Sequence, residues 1–447
     1  MIPEERILSF YGDDFTGSTD VMEVLAINGL KTVLFLDIPD EGRLAQFPHC
    51  RAVGIAGKSR SQTPSWMSKH LPRIFDTLQQ LGAPLCHYKI CSTFDSSPNV
   101  GNIGRAIEIG QAVFGAPYVP VVVGVPALRR YCVFGNLFAT VDDMAYRLDR
   151  HPTMSRHPVT PMVESDLRLH LAQQTSKPTA LLDILALQST DPAESLRMLL
   201  TENPEIVFFD VLDEASLHEV GHLLWTLRSK PQAFIVGSSG VEYALTACWR
   251  SAGELPPPEQ FSGAGRAERM LVVSGSCSPV TELQIRWAMA NGFEAVQLDA
   301  AARLSGVGST ENLRDVIRPA LAKLEAGRSV IVYTVLGPED SRLLPSDRRD
   351  SNFHERLGRL LGRILQTLLK QSGVRRAVIC GGDTSAHAGS QLGIYAVTML
   401  SPLAPGSPLC LTCSDESDFD GLEIVFKGGQ AGSENFLDLV QRGGTSK

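Results

Sequence analysis

Short apolar runs and helical spacing alternate along most of the chain. Ile7 to Tyr11 is a strand-length apolar run, Thr16 to Asn28 carries Val21, Val24 and Leu25 at helical spacing with Asn28-Gly29 as a stop, and Thr32 to Leu36 is apolar again. That change of period predicts a βαβ opening. Further apolar runs at Ala52 to Ala56, His87 to Ile90, Val119 to Val123, Ile206 to Val211 and Phe234 to Val236 are separated in several places by helical patterns. A run without polar alternation suits a strand covered on both faces, so the pattern predicts a mostly parallel sheet between helices.

The stretch from Gly253 to Gly265 contains Pro256-Pro257-Pro258 and shows neither period. It reads as the core of a linker over 253–268. Beyond it, strands are predicted at Met270 to Val273, Ala295 to Leu298, Val330 to Val335, Ala377 to Cys380 and Leu422 to Phe426, and helices near Val280 to Ala290 and Phe353 to Gln371. A chain of 447 residues exceeds what one core usually serves. The expectation is therefore α/β: two three-layer α/β domains with mostly parallel sheets, residues 1–252 and 269–447, with an active site in the interdomain cleft. Residues 337–352, rich in Asp, Arg, Pro and Ser, read as an exposed loop.

Composition narrows the function. With 41 basic and 49 acidic side chains the net charge is −8, and no Lys/Arg block forms a polyanion-binding stripe, which argues against nucleic acid. The chain lacks a basic-then-apolar leader and any window of ~18 uninterrupted apolar residues, so neither export nor a membrane is expected and the location is cytoplasmic. Nine scattered cysteines suit reduced thiols, and Cys410 and Cys413, without a second pair at zinc spacing, read as strand residues and not as a metal site. Whether the chain forms a homo-oligomer is left open.

Ligands of open parallel sheets sit beyond the carboxyl ends of the strands, so the residues following each apolar run come first. After the first run stands Gly12-Asp13-Asp14-Phe15-Thr16-Gly17-Ser18-Thr19-Asp20. One Asp can cap the helix, whereas a second beside it needs a ligand, a cation or a proton to offset the repulsion. After the third, Gly57-Lys58-Ser59-Arg60-Ser61 offers two cations. Lys58 and Arg60 could grip a substrate carboxylate or be plain solvated charges. Ala52 stands where a P-loop needs glycine, which excludes that motif. Lys89 lies inside an apolar strand and needs an anionic partner, which Asp95, Asp14 or a substrate could supply, unless it snorkels from an edge.

In the second half, Ser274-Gly275-Ser276-Cys277-Ser278 and Gly381-Gly382-Asp383-Thr384-Ser385 each link a strand to a helix, and Lys427-Gly428-Gly429 follows the last strand. Small residues admit an anion to free N–H groups at a helix start, and two such turns in one domain suggest a nucleotide. His387, one helical turn on, is either a ligand contact or a core histidine.

The run Asp13 to Asp20 resembles the D-D-F-T-G-[AS]-T-D signature of the four-carbon acid sugar kinase family. Also similar are Lys58-Ser59-Arg60, Tyr88-Lys89 with Ser92-Thr93-Phe94-Asp95-Ser96, the stretch from His157 to Leu167, Gly237-Ser238-Ser239-Gly240, Ser274 to Ser278 and Gly381 to Thr384. Together they span nearly the whole chain in order. The resemblance implies an ATP-dependent kinase acting on a hydroxyl of a small sugar acid such as threonate or 3-oxo-tetronate, held by the first domain, with the nucleotide in the second. It implies Asp13, Asp14, Lys58, Arg60 and Lys89 around the sugar acid, with Thr16, Ser92 and Asp95 as further contacts. It places Ser274, Gly275, Ser276, Gly381, Gly382, Asp383, Thr384, Lys427, Gly428 and Gly429 around the phosphates. The stretch Ser96 to Gly104 looks like members acting on the branched 3-oxo-isoapionate, whereas Gly428, Gln430 and Ala431 depart from a K-[ST]-G-N-F-G pattern common among relatives.

Phosphoryl transfer needs positioning, Mg²⁺ and cations against charge, and one carboxylate to orient the attacking hydroxyl. Asp13 or Asp14 is expected to be that carboxylate, with Asp383 serving Mg²⁺ or, second, the base itself. The rival reading is a sugar-acid and nucleotide binding protein without turnover, suggested by the altered segment after Lys427. A nicotinamide-dependent oxidoreductase is disfavoured because Gly12-Asp13-Asp14 would repel a pyrophosphate.

Overall fold

The computed structural model describes residues 6–141, 143–157, 159–304, 313–344 and 353–444. Two compact units result: one holds the chain up to Thr32 together with Asp40–Glu259, the other holds Val33–Pro39 together with the chain from Gln260.

The strands in chain order are β1 Leu8–Gly12, β2 Thr32–Phe35, β3 Ala52–Ala56, β4 Leu85–Lys89, β5 Val119–Val122, β6 Arg130–Val133, β7 Asn136–Val141, β8 Met144–Arg147, β9 Thr179–Leu182, β10 Ile206–Phe209 and β11 Ala233–Gly237. The second half adds β12 Leu271–Ser274, β13 Glu294–Gln297, β14 Val330–Tyr333, β15 Arg376–Cys380, β16 Ile394–Ala404, β17 Ser407–Ser414 and β18 Glu423–Lys427. In the first unit the order β3-β1-β4-β11-β5-β10-β9 is parallel throughout. A separate antiparallel ribbon, β6-β7-β8, is rooted at the carboxyl ends of β5 and β10 by the bridges Val125–Arg130 and Cys132–Val211.

Strand alternation on β4 shows the layers. Tyr88 stacks on Tyr11, with ring centroids 5.9 Å apart, and meets Phe75 of the helix Pro64–Gln80 edge-on. His87 and Lys89 turn to the opposite face, toward Glu242 of the helix Gly240–Ser251 and Asp20 of the helix Phe15–Ile27. Helices therefore cover both faces.

In the second unit β13-β14-β12-β15-β18 are parallel, and β17, β16 and β2 continue the sheet antiparallel. Val272, Ile331, Val378 and Val425 share a core with Ile285 and Leu437. The helix Phe353–Ser372 buries Leu357, Leu361, Ile364, Leu365 and Leu368, the spacing of one apolar face.

Two points go beyond the sequence reading. The run at Thr32 is a strand as expected, and in the second unit its partner is remote in sequence: it pairs antiparallel with β16, Ala396 opposite Phe35. The stretch 253–268 has neither helix nor strand, yet it is tied down, Glu259 N–H to Ile27 O at 3.2 Å and Ala264 N–H to Gly443 O at 2.8 Å. Cys410 and Cys413 lie on β17. Of residues 337–352, those from 345 onward lie outside the described residues. Among the described residues no helix is long and apolar enough to cross a membrane.

Phe75 is fully buried against Tyr11, Tyr88 and Phe234. Phe75→Ala should cost the first unit about 3–5 kcal/mol in urea unfolding; a loss within experimental error would remove Phe75 from the core.

Candidate active site

β1 ends at Gly12, and the next two residues carry the acids. Asp14 caps the helix Phe15–Ile27, accepting from Gly17 N–H at 2.9 Å and from Thr16 Oγ1 at 2.7 Å. Asp13 is 2% exposed and its backbone N–H bonds Lys89 O. Arg60 reaches both carboxylates from the turn after β3. Its Nε and Nη2 fork onto Asp13 at 3.1 and 2.6 Å, and Nη2 also lies 2.8 Å from Asp14 Oδ1. The second acid thus has its offset in a shared guanidinium, with Lys89 nearby.

The two carboxylates differ. Burial, offset in part by Arg60 and reinforced by Asp14, pushes Asp13 up to about 6. Burial acts on Asp14 too, but Arg60, Lys89, the Thr16 hydroxyl and the Gly17 N–H outweigh it and hold Asp14 below the usual carboxylate range. Asp14 is also the more open, its side chain 22% exposed against 3% for Asp13.

Lys89 is buried, and its partner is Asp20, at 3.6 Å, with Ile90 O accepting at 3.0 Å. The sequence reading offered Asp14, Asp95 or a substrate and missed Asp20. The signal was present: Asp20 stands four residues after Thr16 and three after Gly17, on the same helix face. Gly17 itself makes room, since a Cβ there would lie 2.5 Å from Asp14 Oδ1 and 3.1 Å from Lys89 Nζ. Lys58 is exposed, its ammonium 5.9 Å from the Trp66 ring centroid. Ser92 is half-buried, and Asp95 accepts from Thr93 Oγ1 at 2.7 Å.

In the second unit three separate segments converge. A Cβ on Gly275 would meet Thr384 Oγ1 at 2.6 Å, and one on Gly429 would meet Ser276 Oγ at 3.2 Å. Gly381 has φ +118°, a conformation only glycine takes without strain, and leads into the helix Gly382–Ser390. Lys427 is fully buried; its ammonium donates to Thr281 Oγ1, Gly428 O and Gly429 O, and burial lowers its pKa. None of those partners carries charge. Ser274 Oγ is buried without a hydrogen-bond partner among the described residues. A buried cation on neutral acceptors, an unused hydroxyl and glycine turns at helix starts fit a phosphate chain. Beside Gly275 opens a small cleft, lined among others by Gln297, Asp299, Thr334, Arg342 and His354. His387 packs on Gly358. The Asp383 side chain lies outside the described residues, and among the described residues no cluster of three or more His, Cys, Asp or Glu could hold a metal.

A sugar-binding N-terminal domain model matches residues 8–245, and a nucleotide-binding C-terminal domain model matches 271–437. The chain is 46% identical to the 3-oxo-isoapionate kinase of Paraburkholderia graminis, over 99% of this chain and 95% of that one. The chain belongs to the four-carbon acid sugar kinase family. It is 29% identical to the 3-oxo-tetronate kinase of Cupriavidus necator, over 98% of both chains. Crystal structures of a Salmonella typhimurium LT2 protein and of Haemophilus influenzae protein HI1011 share the fold, with TM-scores of 0.80 and 0.69 at 24% and 23% identity, covering 97% or more of this chain and 99% of each of theirs.

For a kinase of this family the acid pair generates two predictions. Helix propensity alone favours Ala over Gly by about 1 kcal/mol, so Gly17→Ala should fold with an unchanged or higher Tm while kcat/KM falls about 100-fold through a displaced Asp14. Retained activity would show that the cramped approach is not used. Ionised Asp13 holds the Arg60 fork, and its raised pKa means that it takes up a proton as pH falls through about 6. The kcat/KM profile should therefore decline below pH about 6; a profile flat to pH about 4.5 would contradict it.

Proposed function

We propose that the protein phosphorylates a hydroxyl of 3-oxo-isoapionate with MgATP. The observation that carries this reading is the ionised, partly open Asp14, fixed by Arg60 at the carboxyl end of β1. Greater likeness to the isoapionate kinase than to the tetronate kinase supports the choice of acid.

In the proposed reaction the sugar hydroxyl donates to Asp14 and its oxygen attacks the γ-phosphorus in line. The new P–O bond forms as the bond to ADP breaks, and the hydroxyl proton passes to Asp14 and then to solvent. Asp13 does not face the substrate in this scheme; it anchors Arg60. Gly275, Ser276, the Gly381 turn and Lys427 receive the phosphates, and Lys427 gains there the anion that its own surroundings lack. Asp383 is the proposed carboxylate that would hold Mg²⁺, which would supply positive charge against the phosphates when bound. Turnover separates this reading from a binding protein that holds the same ligands.

ADP release should depend on added sugar acid, with kcat/KM for 3-oxo-isoapionate about 10-fold or more above that for 3-oxo-tetronate or threonate. ADP release indifferent to every acid would end the kinase reading, and a preference for the tetronate would end the choice of substrate.

A further inference from the structure

Arg60 and Lys89 are already engaged by this chain's own acids, and Lys58 is exposed beside Trp66. Another cation of the first unit is placed differently. Arg130 opens β6, directly after the tight turn Pro126–Leu128, whose last position, Arg129, takes φ +57°. The turn hangs on the carboxyl end of β5 through paired backbone hydrogen bonds between Val125 and Arg130. That is the edge of the sheet where β1, β3 and β4 deliver the acid pair, Arg60 and Asp95.

The Arg130 side chain is half-buried. Its Nη1 donates to Leu128 O at 3.0 Å and Arg129 O at 3.2 Å, and its Nε is buried with no hydrogen-bond partner among the described residues. Among the described residues no carboxylate lies within ion-pairing distance of it. It senses Asp95 and Cys91, the residues that follow β4, from farther off, and burial dominates over them to lower its pKa. Cys91 in turn senses Arg60, which ties Arg130 to the neighbourhood of the acid pair. Asp95, held by Thr93, keeps acceptor capacity of its own. A half-buried guanidinium with a buried, unused N–H and, among the described residues, no counter-ion is costly unless an anion completes it, and a carboxylate matches its fork.

We propose that Arg130 binds the carboxylate of the sugar acid, with Asp95 opposite it accepting from a neighbouring hydroxyl. The site therefore selects acids over neutral sugars through a residue of the ribbon and not through Arg60. This assignment rests on the sugar-acid kinase reading above.

The test compares wild type with Arg130→Ala on 3-oxo-isoapionate and on its primary amide, with binding of each followed by calorimetry alongside turnover. The variant should raise KM and Kd for the acid about 30-fold or more while KM for ATP stays unchanged. Its preference for acid over amide should collapse toward one, and millimolar guanidinium should restore part of the acid turnover. Equal losses on acid and amide, or an unchanged KM for the acid, would overturn the assignment and leave the kinase reading standing. A wild-type protein that binds no sugar acid would overturn both. Should Arg130→Ala fail to fold, Arg130→Gln, which keeps the bulk and the local hydrogen bonds, decides by the same ratios.

Discussion

Two consecutive carboxylates at the buried end of a parallel strand can both ionise only when a cation is held against them, and here one guanidinium serves the pair. Arg60 can do so because β1 and β3 are immediate parallel neighbours, with Gly12 opposite Ala56, so the turn after β3 begins beside the turn after β1. The close approach is made by glycines. A Cβ on Gly57 would strike the Tyr11 ring at 2.1 Å, and one on Gly12 would strike Ser18 Oγ at 2.0 Å. Below them Tyr11 and Tyr88 form an aromatic floor, with Ser59 Oγ 3.0 Å from the Tyr88 hydroxyl. Burial raises both acids. Asp13 stays raised because Arg60 and Lys89 offset its burial only in part, whereas on Asp14 Arg60 and Lys89, joined by the Thr16 hydroxyl and the Gly17 N–H, outweigh it.

Much of this was legible in the chain itself, for a physical reason. Strands covered on both faces are written as unbroken apolar runs, so Ala52 to Ala56 is found with the bounds it has in the fold. Adjacency made the acid pair legible, because two neighbouring charges pose a problem that folding must answer. What could not be read is pairing at a distance. Thr32–Phe35 has the same local pattern whichever sheet receives it, and nothing in it names β16 as the partner. The strand β16 was hidden because Tyr395, Thr398, Ser401 and Pro402 interrupt its apolar residues and its register against β17 shifts repeatedly. The ribbon β6-β7-β8 is largely half-buried or exposed, so it lacks a strong period, and with it went any hint of Arg130.

The two units handle charge by different means. The first sets charged side chains against one another: Arg60 between two acids, Lys89 beside Asp20, and His87 against Glu242 at 2.6 Å in the middle of the sheet. The second brings few charges to its turns and relies on small residues: a Cβ on Gly275 or Gly381 would crowd Thr384, and one on Gly429 would crowd Ser276. Each scheme suits its ligand. A sugar acid offers one carboxylate and several hydroxyls, which directional side chains tell apart, whereas a triphosphate is a row of anionic oxygens that helix starts and N–H groups accept without further discrimination.

It follows that a cation's neighbours reveal more about its role than its position in a motif does. Arg60 and Lys89 belong to the signature-like segments, yet both are already paired with the chain's own acids, Arg60 with Asp13 and Asp14 and Lys89 with Asp20. Lys427 and Arg130 sit among carbonyls and hydroxyls, where each keeps its charge at a desolvation cost that the fold does not repay. Such a cost persists when an incoming anion offsets it, which makes uncompensated cations, more than paired ones, the places where an anionic ligand is expected to end.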